Sequence, residues 1–250
     1  MINPKRTANR KNHSPTWYNY YAGYSDEFLI DTIEYLKLGE QAVILDPWNG
    51  AGTTTFQANK LGYNSIGIDI NPALVIIAKA RNINRYTTPS LNALATDIIL
   101  KAENSCNTFI NDPYSLWFKP KTASFLRRLE RSVYQLLVSH DNNFISGLNS
   151  LNCVSDLASF FYVAIFKTVK AYLKDFATSN PTWIKTAKNE EDLIEIDTCS
   201  IKSDFIIQIN NLKLYIQQVG INSSEHFHNI DLGRSEKLVI SDKSIRHTIY

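Results

Sequence analysis

Residues 42–72, AVILDPWNGAGTTTFQANKLGYNSIGIDINP, constrain the fold more than any other stretch of the chain. An apolar run ends in Asp46 and breaks into a loop holding Gly50 and Gly52; a second apolar run ends in Asp69. The spacing predicts a short buried strand over 42–45, a helix beginning over 53–60, a second strand over 64–69 and a helix from Pro72 through Ala80. Strand, helix, strand and helix within about forty residues is the rhythm of a parallel sheet.

A loop leaving the carboxyl end of a parallel strand is where open α/β folds bind ligands. Gly50 and Gly52 permit torsions and close approaches that side chains would block, and the helix near Thr53 presents free N–H groups. The loop lacks the Lys-Ser/Thr ending of a triphosphate binder and the spacing of a dinucleotide fingerprint. A carboxylate at the second strand end lies where it accepts from ribose hydroxyls, and Asp46 suits a cationic or amino-bearing group on the same ligand. A nucleoside carrying an amino acid, such as S-adenosylmethionine, fits that pair better than a phosphorylated one. The competing reading is two strand-end carboxylates that merely cap the helices after them.

The string Asp46-Pro47-Trp48-Asn49, Gly50-Ala51-Gly52-Thr53-Thr54, Gly67-Ile68-Asp69-Ile70-Asn71-Pro72 resembles the cofactor-binding motifs of S-adenosylmethionine-dependent DNA amino-methyltransferases, the cytosine-N4/adenine-N6 type. The family commonly has Phe-Cys where this chain has Trp48-Asn49. The resemblance implies a Rossmann-like methyltransferase fold of class α/β, with an incomplete parallel sheet and a helical insertion. It implies S-adenosyl-L-methionine as cofactor, lined by Asp46, Pro47, Trp48, Gly50, Gly52 and Thr53, with Asp69 on the ribose and Ile70, Asn71 and Pro72 shaping the turn beside the adenine. The upstream HSPTWYNYYAGYSDEF, residues 13–28, resembles the family's element against the methionine end, carried here by Tyr24 and Ser25. Packing at the sheet edge explains its aromatic cluster equally well. DNA is the partner the resemblance implies, and no metal is required. Methylation of a guanine amino group in RNA is the alternative enzyme reading.

Elsewhere the patterning is helical. Ser25-Asp26-Glu27 reads as a helix start, with Leu29, Ile33 and Leu36 at helical spacing and Gly39 as the stop. Residues 91–98 suggest a further short element. Phe125, Leu126, Leu129, Val133, Leu136 and Leu137 form one stripe; Leu157, Phe160, Phe161, Ala164, Ile165, Val169 and Tyr172 form another, with a loop over 139–152 between them. Lys119, Lys121, Arg127, Arg128 and Arg131, and likewise Lys167, Lys170 and Lys174, read as solvated helix faces or as phosphate contacts. Residues 203–219 form a last amphipathic helix, and 223–250 read as short, loop-like segments.

The family also uses a motif of Asp, Asn or Ser followed by Pro-Pro and an aromatic, which accepts the hydrogens of the target amino group and stacks on the flipped base. No two prolines are adjacent in this chain. The one approach to the motif is Asp112-Pro113-Tyr114, a weak candidate. Residues 232–250 look like the approach to the catalytic strand. The expected organisation is a flexible basic tail (1–12), a cofactor-binding half (13–110), a mainly helical insertion (111–220) and a segment returning toward the sheet (221–250), ending before that strand. Three readings follow: a split enzyme completed by a second polypeptide with the double-proline motif, a truncated enzyme, or a non-catalytic cofactor-binding or interaction subunit.

A net charge of +2 neither demands nor forbids a nucleic-acid partner. Cys106, Cys153 and Cys199 are isolated, which argues against a zinc site or a disulfide framework. The start of the chain is basic and polar with no apolar core, and no apolar run is long enough to span a bilayer, so a soluble cytoplasmic protein is expected.

Overall fold

The computed structural model describes residues 17–18, 23–106, 111–138, 151, 153–178, 184–221, 226–237 and 247–248. Two compact units emerge: Met1–Thr88 with Phe144–Phe160 and Leu214–Tyr250, and Pro89–Asn143 with Phe161–Lys213.

In the first unit, helix α1 (Asp26–Leu36) starts where Ser25 Oγ accepts the Phe28 N–H at 3.2 Å, with Asp26 and Glu27 in its first turn. It buries Leu29 and Ile33. The helix stops before Gly39: Lys37 takes the left-handed conformation (φ 47°), and its N–H turns back to the Glu34 carbonyl. Strand β1 (Val43–Asp46) runs one residue further than expected and includes Asp46. Helix α2 (Thr53–Lys60), strand β2 (Asn64–Asp69) and helix α3 (Pro72–Arg81) follow as the spacing predicts, α3 running one residue further. Asn71 Oδ1 caps α3 by accepting from the Ala73 N–H at 3.0 Å, and Pro72 occupies a first-turn position that needs no hydrogen bond.

The closing segment corrects the loop-like reading. His228–Leu232 form strand β3 and His247–Thr248 form strand β4, giving among the described residues a four-stranded sheet in the order β3-β2-β1-β4. Every pairing among these strands is parallel, with Asp46 opposite Gly67, Gly67 opposite Ile230 and Ile44 opposite His247. Helix α2 packs on β1 and β2, and α3 on β2 and β3. Among the described residues, two apolar clusters of this unit are Ile33, Ile44 and Ala58 with Leu38 and Tyr63, and Val75, Ala78 and Ile230 with Leu232. This is a Rossmann-like α/β arrangement, a parallel sheet flanked by helices. Trp17 is a packing residue; its indole N–H donates to the Ile77 carbonyl at 3.2 Å, and its ring lies 5.4 Å from Tyr215 and 6.4 Å from Phe160.

Among the described residues, four α-helices intervene between α3 and β3. Helix α4 (Leu91–Asn104) is longer than expected, with Leu91, Ala95, Ile98 and Ala102 buried along one face. Helix α5 (Pro120–Leu137) buries Phe125, Leu126, Leu129 and Val133, and within the second unit it packs on α4. Helix α6 (Asp156–Tyr172) and helix α7 (Thr198–Val219) are each crossed by the division between the units. Helix α7 starts five residues before the expected 203 because the Asp197 carboxylate accepts the Ser200 N–H at 2.9 Å. Apart from Leu151, the expected loop over 139–152 lies outside the described residues, as does the basic tail over 1–12. Among the described residues, no helix is long and apolar enough to cross a membrane.

Candidate cofactor-binding site

The parallel register of β1 and β2 sets Asp46 beside Gly67, so Asp69 stands two residues further along the neighbouring strand, at the same end of the sheet. The loop between Asp46 and α2 is tight. Gly50 (φ 53°) and Gly52 (φ 78°) are both left-handed, and the Gly52 N–H donates to the Asn49 carbonyl at 2.8 Å. At Gly52 a Cβ would lie 2.7 Å from the Ala78 Cβ. The close approach that Gly52 permits is therefore between the loop and α3.

Asp46 is 8% exposed. One of its oxygens accepts the Trp48 N–H at 3.0 Å. Burial pushes its carboxyl above the ordinary carboxylate range; hydrogen bonds from Thr54 and from the Trp48 N–H oppose that rise, and the charge of Asp69 adds to it. The two carboxylates thus sense each other electrostatically. Asp69 reaches across to the loop: Oδ2 accepts the Gly50 N–H and Oδ1 the Asn71 N–H, each at 2.8 Å. Both carboxylates therefore hold local backbone, but neither caps the helix after it: α2 follows Gly52 with no side-chain cap, and α3 is capped by Asn71. That does not exhaust them, because an ionised carboxylate offers about four acceptor sites.

Around this pair the expected residues fall into two sets. Pro47 and Thr53 are buried, whereas Trp48 (63%), Ile70 (66%) and Tyr24 (37%) expose large apolar surface. Asn71 is exposed, and its side chain is used as the α3 cap. Ser25 caps α1, and Tyr24 packs against Phe28 with ring centroids 5.6 Å apart.

Three further residues shape the loop. Asn49 is buried; its Oδ1 accepts from the Thr55 hydroxyl at 3.1 Å and its N–H donates to the Ile68 carbonyl at 2.9 Å. Gly67 leaves room for it, since a Cβ there would lie 2.5 Å from the Asn49 Cγ and Nδ2. Arg81, at the end of α3, reaches Thr53 Oγ1 at 3.2 Å. The Gly67–Asn49 fit carried a signal, since a glycine in a strand marks a close approach; Arg81 carried none.

Asp112, Pro113 and Tyr114 all lie in the second unit. Asp112 caps a short 3-10 turn by accepting the Tyr114 N–H at 2.9 Å, and Arg127 grips both of its oxygens, at 2.6 and 3.1 Å. The guanidinium lies 4.8 Å from the centre of the Tyr114 ring. Burial alone would raise the Asp112 carboxyl, but Arg127 and the Tyr114 N–H outweigh it and hold it below the ordinary range; burial pushes the Tyr114 phenol up to about 12. Among the other basic residues of this region, Lys119 pairs with Glu195 at 2.9 Å and Arg128 donates to the Ser105 carbonyl at 2.8 Å. Among the described residues, no cluster of His, Cys, Asp or Glu could hold a metal ion.

Residues 8–80 match the family model described as DNA methylase. The chain is 45% identical over 65 residues to the type II methyltransferase M.BsoBI of Geobacillus stearothermophilus, an alignment covering 26% of this chain and 13% of that protein. It is 30% identical over 96 residues to the type II methyltransferase M.MjaII of Methanocaldococcus jannaschii, covering 36% of this chain and 18% of that protein. These alignments span less than a fifth of either relative, and no solved structure matches the chain. The segment that carries the glycine loop and both strand-end carboxylates is a domain related to the DNA methylases.

Proposed function

We propose that the first unit binds S-adenosyl-L-methionine and that the chain serves in methylating an exocyclic amino group of cytosine or adenine in DNA. The observation that carries this reading is the pair of like-charged carboxylates at adjacent strand ends, one buried and pushed toward protonation, both fixed by the glycine loop. Two negative charges held together in a partly desolvated site favour a cationic ligand. S-adenosylmethionine carries an ammonium and a sulfonium, and the sulfonium supplies the methyl group when the molecule is bound. Asp46 balances the positive end of the cofactor. Asp69, oriented by the Gly50 and Asn71 N–H groups, accepts from the ribose hydroxyls with its remaining lone pairs. Trp48 and Ile70, both exposed, offer apolar surface for the adenine. No catalytic residue is assigned: the chain has no adjacent prolines, and Asp112 is read as a structural partner of Arg127.

Calorimetric titration of the purified chain with S-adenosylmethionine, with adenosine triphosphate as a control, tests the reading. Micromolar binding is expected for the wild type, with at least about tenfold weaker binding for Asp69→Ala, a loss of about 1.4 kcal/mol. A folded chain that binds neither ligand, or binds the triphosphate better, overturns it.

A further inference from the structure

Arg81 is a strongly basic group that the first unit buries against the loop elements, with no role in the cofactor reading. Its side chain is 6% exposed. NH1 donates to Thr53 Oγ1 at 3.2 Å, and NH2 meets both oxygens of Asp26 at 3.2 and 3.3 Å. The guanidinium lies 4.5 Å from the centre of the Phe56 ring. A buried guanidinium is tolerated only where its charge and its donors are met. Here the charge is met by Asp26, the first residue of α1, and the two terminal nitrogens by Asp26 and by Thr53, the first residue of α2, while Nε is buried with no partner among the described residues.

We infer that Arg81 is a positioning residue for the cofactor site, the clamp that sets the upstream segment against the glycine loop. This rests on the cofactor reading above. Asp26 directly follows Ser25 and Tyr24, the residues assigned to the methionine end, and Thr53 directly follows Gly52. The two segments are far apart in sequence, and the fork of one arginine grips both. Helix α3, which carries it, begins at Pro72, just beyond Asp69 and Asn71. One rigid helix therefore references all three cofactor segments: the second strand end through its cap, and the other two through Arg81. Lysine keeps the charge but lacks the planar fork, so it holds one partner at a time.

The test measures the affinity for S-adenosylmethionine and the unfolding midpoint of the wild type, Arg81→Lys, Asp26→Asn and the double variant. Arg81→Lys is expected to weaken binding about tenfold with the chain still folded. Asp26→Asn, at a residue whose side chain is 39% exposed, is expected to weaken it about threefold in the wild type and not at all in the Arg81→Lys background. A purely structural role predicts lowered midpoints with affinities of the folded protein within about twofold of wild type, and that result overturns the inference. Full additivity of the two losses also overturns it, because Asp26 would then act independently of Arg81. If Arg81→Lys fails to fold, the Asp26→Asn affinity decides alone: weakening supports the clamp, and an unchanged affinity overturns it. A wild type that binds no S-adenosylmethionine is a separate result, which removes the cofactor reading and the clamp with it.

Discussion

Gly67→Ala tests the packing beneath the glycine loop. The added methyl would sit 2.5 Å from the Asn49 Cγ and Nδ2 and 2.8 Å from the Thr55 Cγ2, and both neighbours are buried. Asn49 cannot simply swing aside. Its N–H is tied to Ile68, its carbonyl to Gly52 and its side chain to the Thr55 hydroxyl. Overpacking of a fixed site costs about 1–3 kcal/mol, and losing the Thr55–Asn49 bond adds about 1 kcal/mol. Gly67→Ala should therefore destabilise by roughly 2–4 kcal/mol. Asn49→Ala should be close to neutral: it loses the same bond of about 1 kcal/mol but removes a buried Nδ2 that has no partner among the described residues, a group that costs about 1–3 kcal/mol to bury. In the double variant Thr55 still crowds the new methyl, so about half of the penalty or more should return. Urea unfolding of the four proteins at equal m-values measures the cycle. If Gly67→Ala lies within about 0.5 kcal/mol of wild type, or Asn49→Ala gives no relief, the explanation of this glycine is refuted.

Asp46→Asn should raise the unfolding midpoint at neutral pH while weakening S-adenosylmethionine binding at least about tenfold, as read by thermal melts and calorimetry. Because burial raises the Asp46 pKa in the folded state, the folded chain holds this proton more tightly than the unfolded one. The penalty of its charge thus sets in as pH rises out of the ordinary carboxylate range, and the advantage of the Asn variant should vanish in acid. Arg127→Ala leaves the largely buried Asp112 carboxylate without its fork and should cost about 3 kcal/mol in denaturant unfolding. Asp112 has a lowered pKa, so its stabilisation is present at neutral pH and is lost as pH falls through the ordinary carboxylate range and below.

What was legible in the sequence was what is encoded locally. The run from Val43 to Arg81 holds its caps, glycines and apolar periods within a few residues of each other, so strand, loop, strand and helix could be placed to within a residue. The convergence of Asp46 and Asp69 followed from parallel neighbours alone. Strand β3 was missed because only Ile230 is buried among its five residues; its place is set by pairing with β2, not by an apolar pattern of its own. The apolar pattern of helix α4 fades beyond residue 98 because alanines at 95 and 102 supply half of its buried face. The Lys37 stop uses a left-handed conformation that non-glycine residues adopt at a cost of about 1–2 kcal/mol, which no composition rule announces. Arg81 and the Arg127–Asp112 pair join residues brought together only by folding, so their roles lay outside any motif.

The late arrival of β3 gives the sheet a schedule. Phe227, at the entrance to β3, donates its N–H to the Asn64 side chain across a sequence separation of 163 residues. Closing a loop of that length costs about 4.5 kcal/mol of chain entropy by the logarithmic rule, against about 2.7 kcal/mol for the ~20-residue crossover from β1 to β2. At synthesis rates of about 5–20 residues per second, β3 leaves the ribosome roughly 8 to 33 seconds after β2. Throughout that interval β2 presents an unpaired edge, the form in which a strand recruits foreign strands. The four helices made in between have time to form before the strand carrying Asp69 gains its second neighbour.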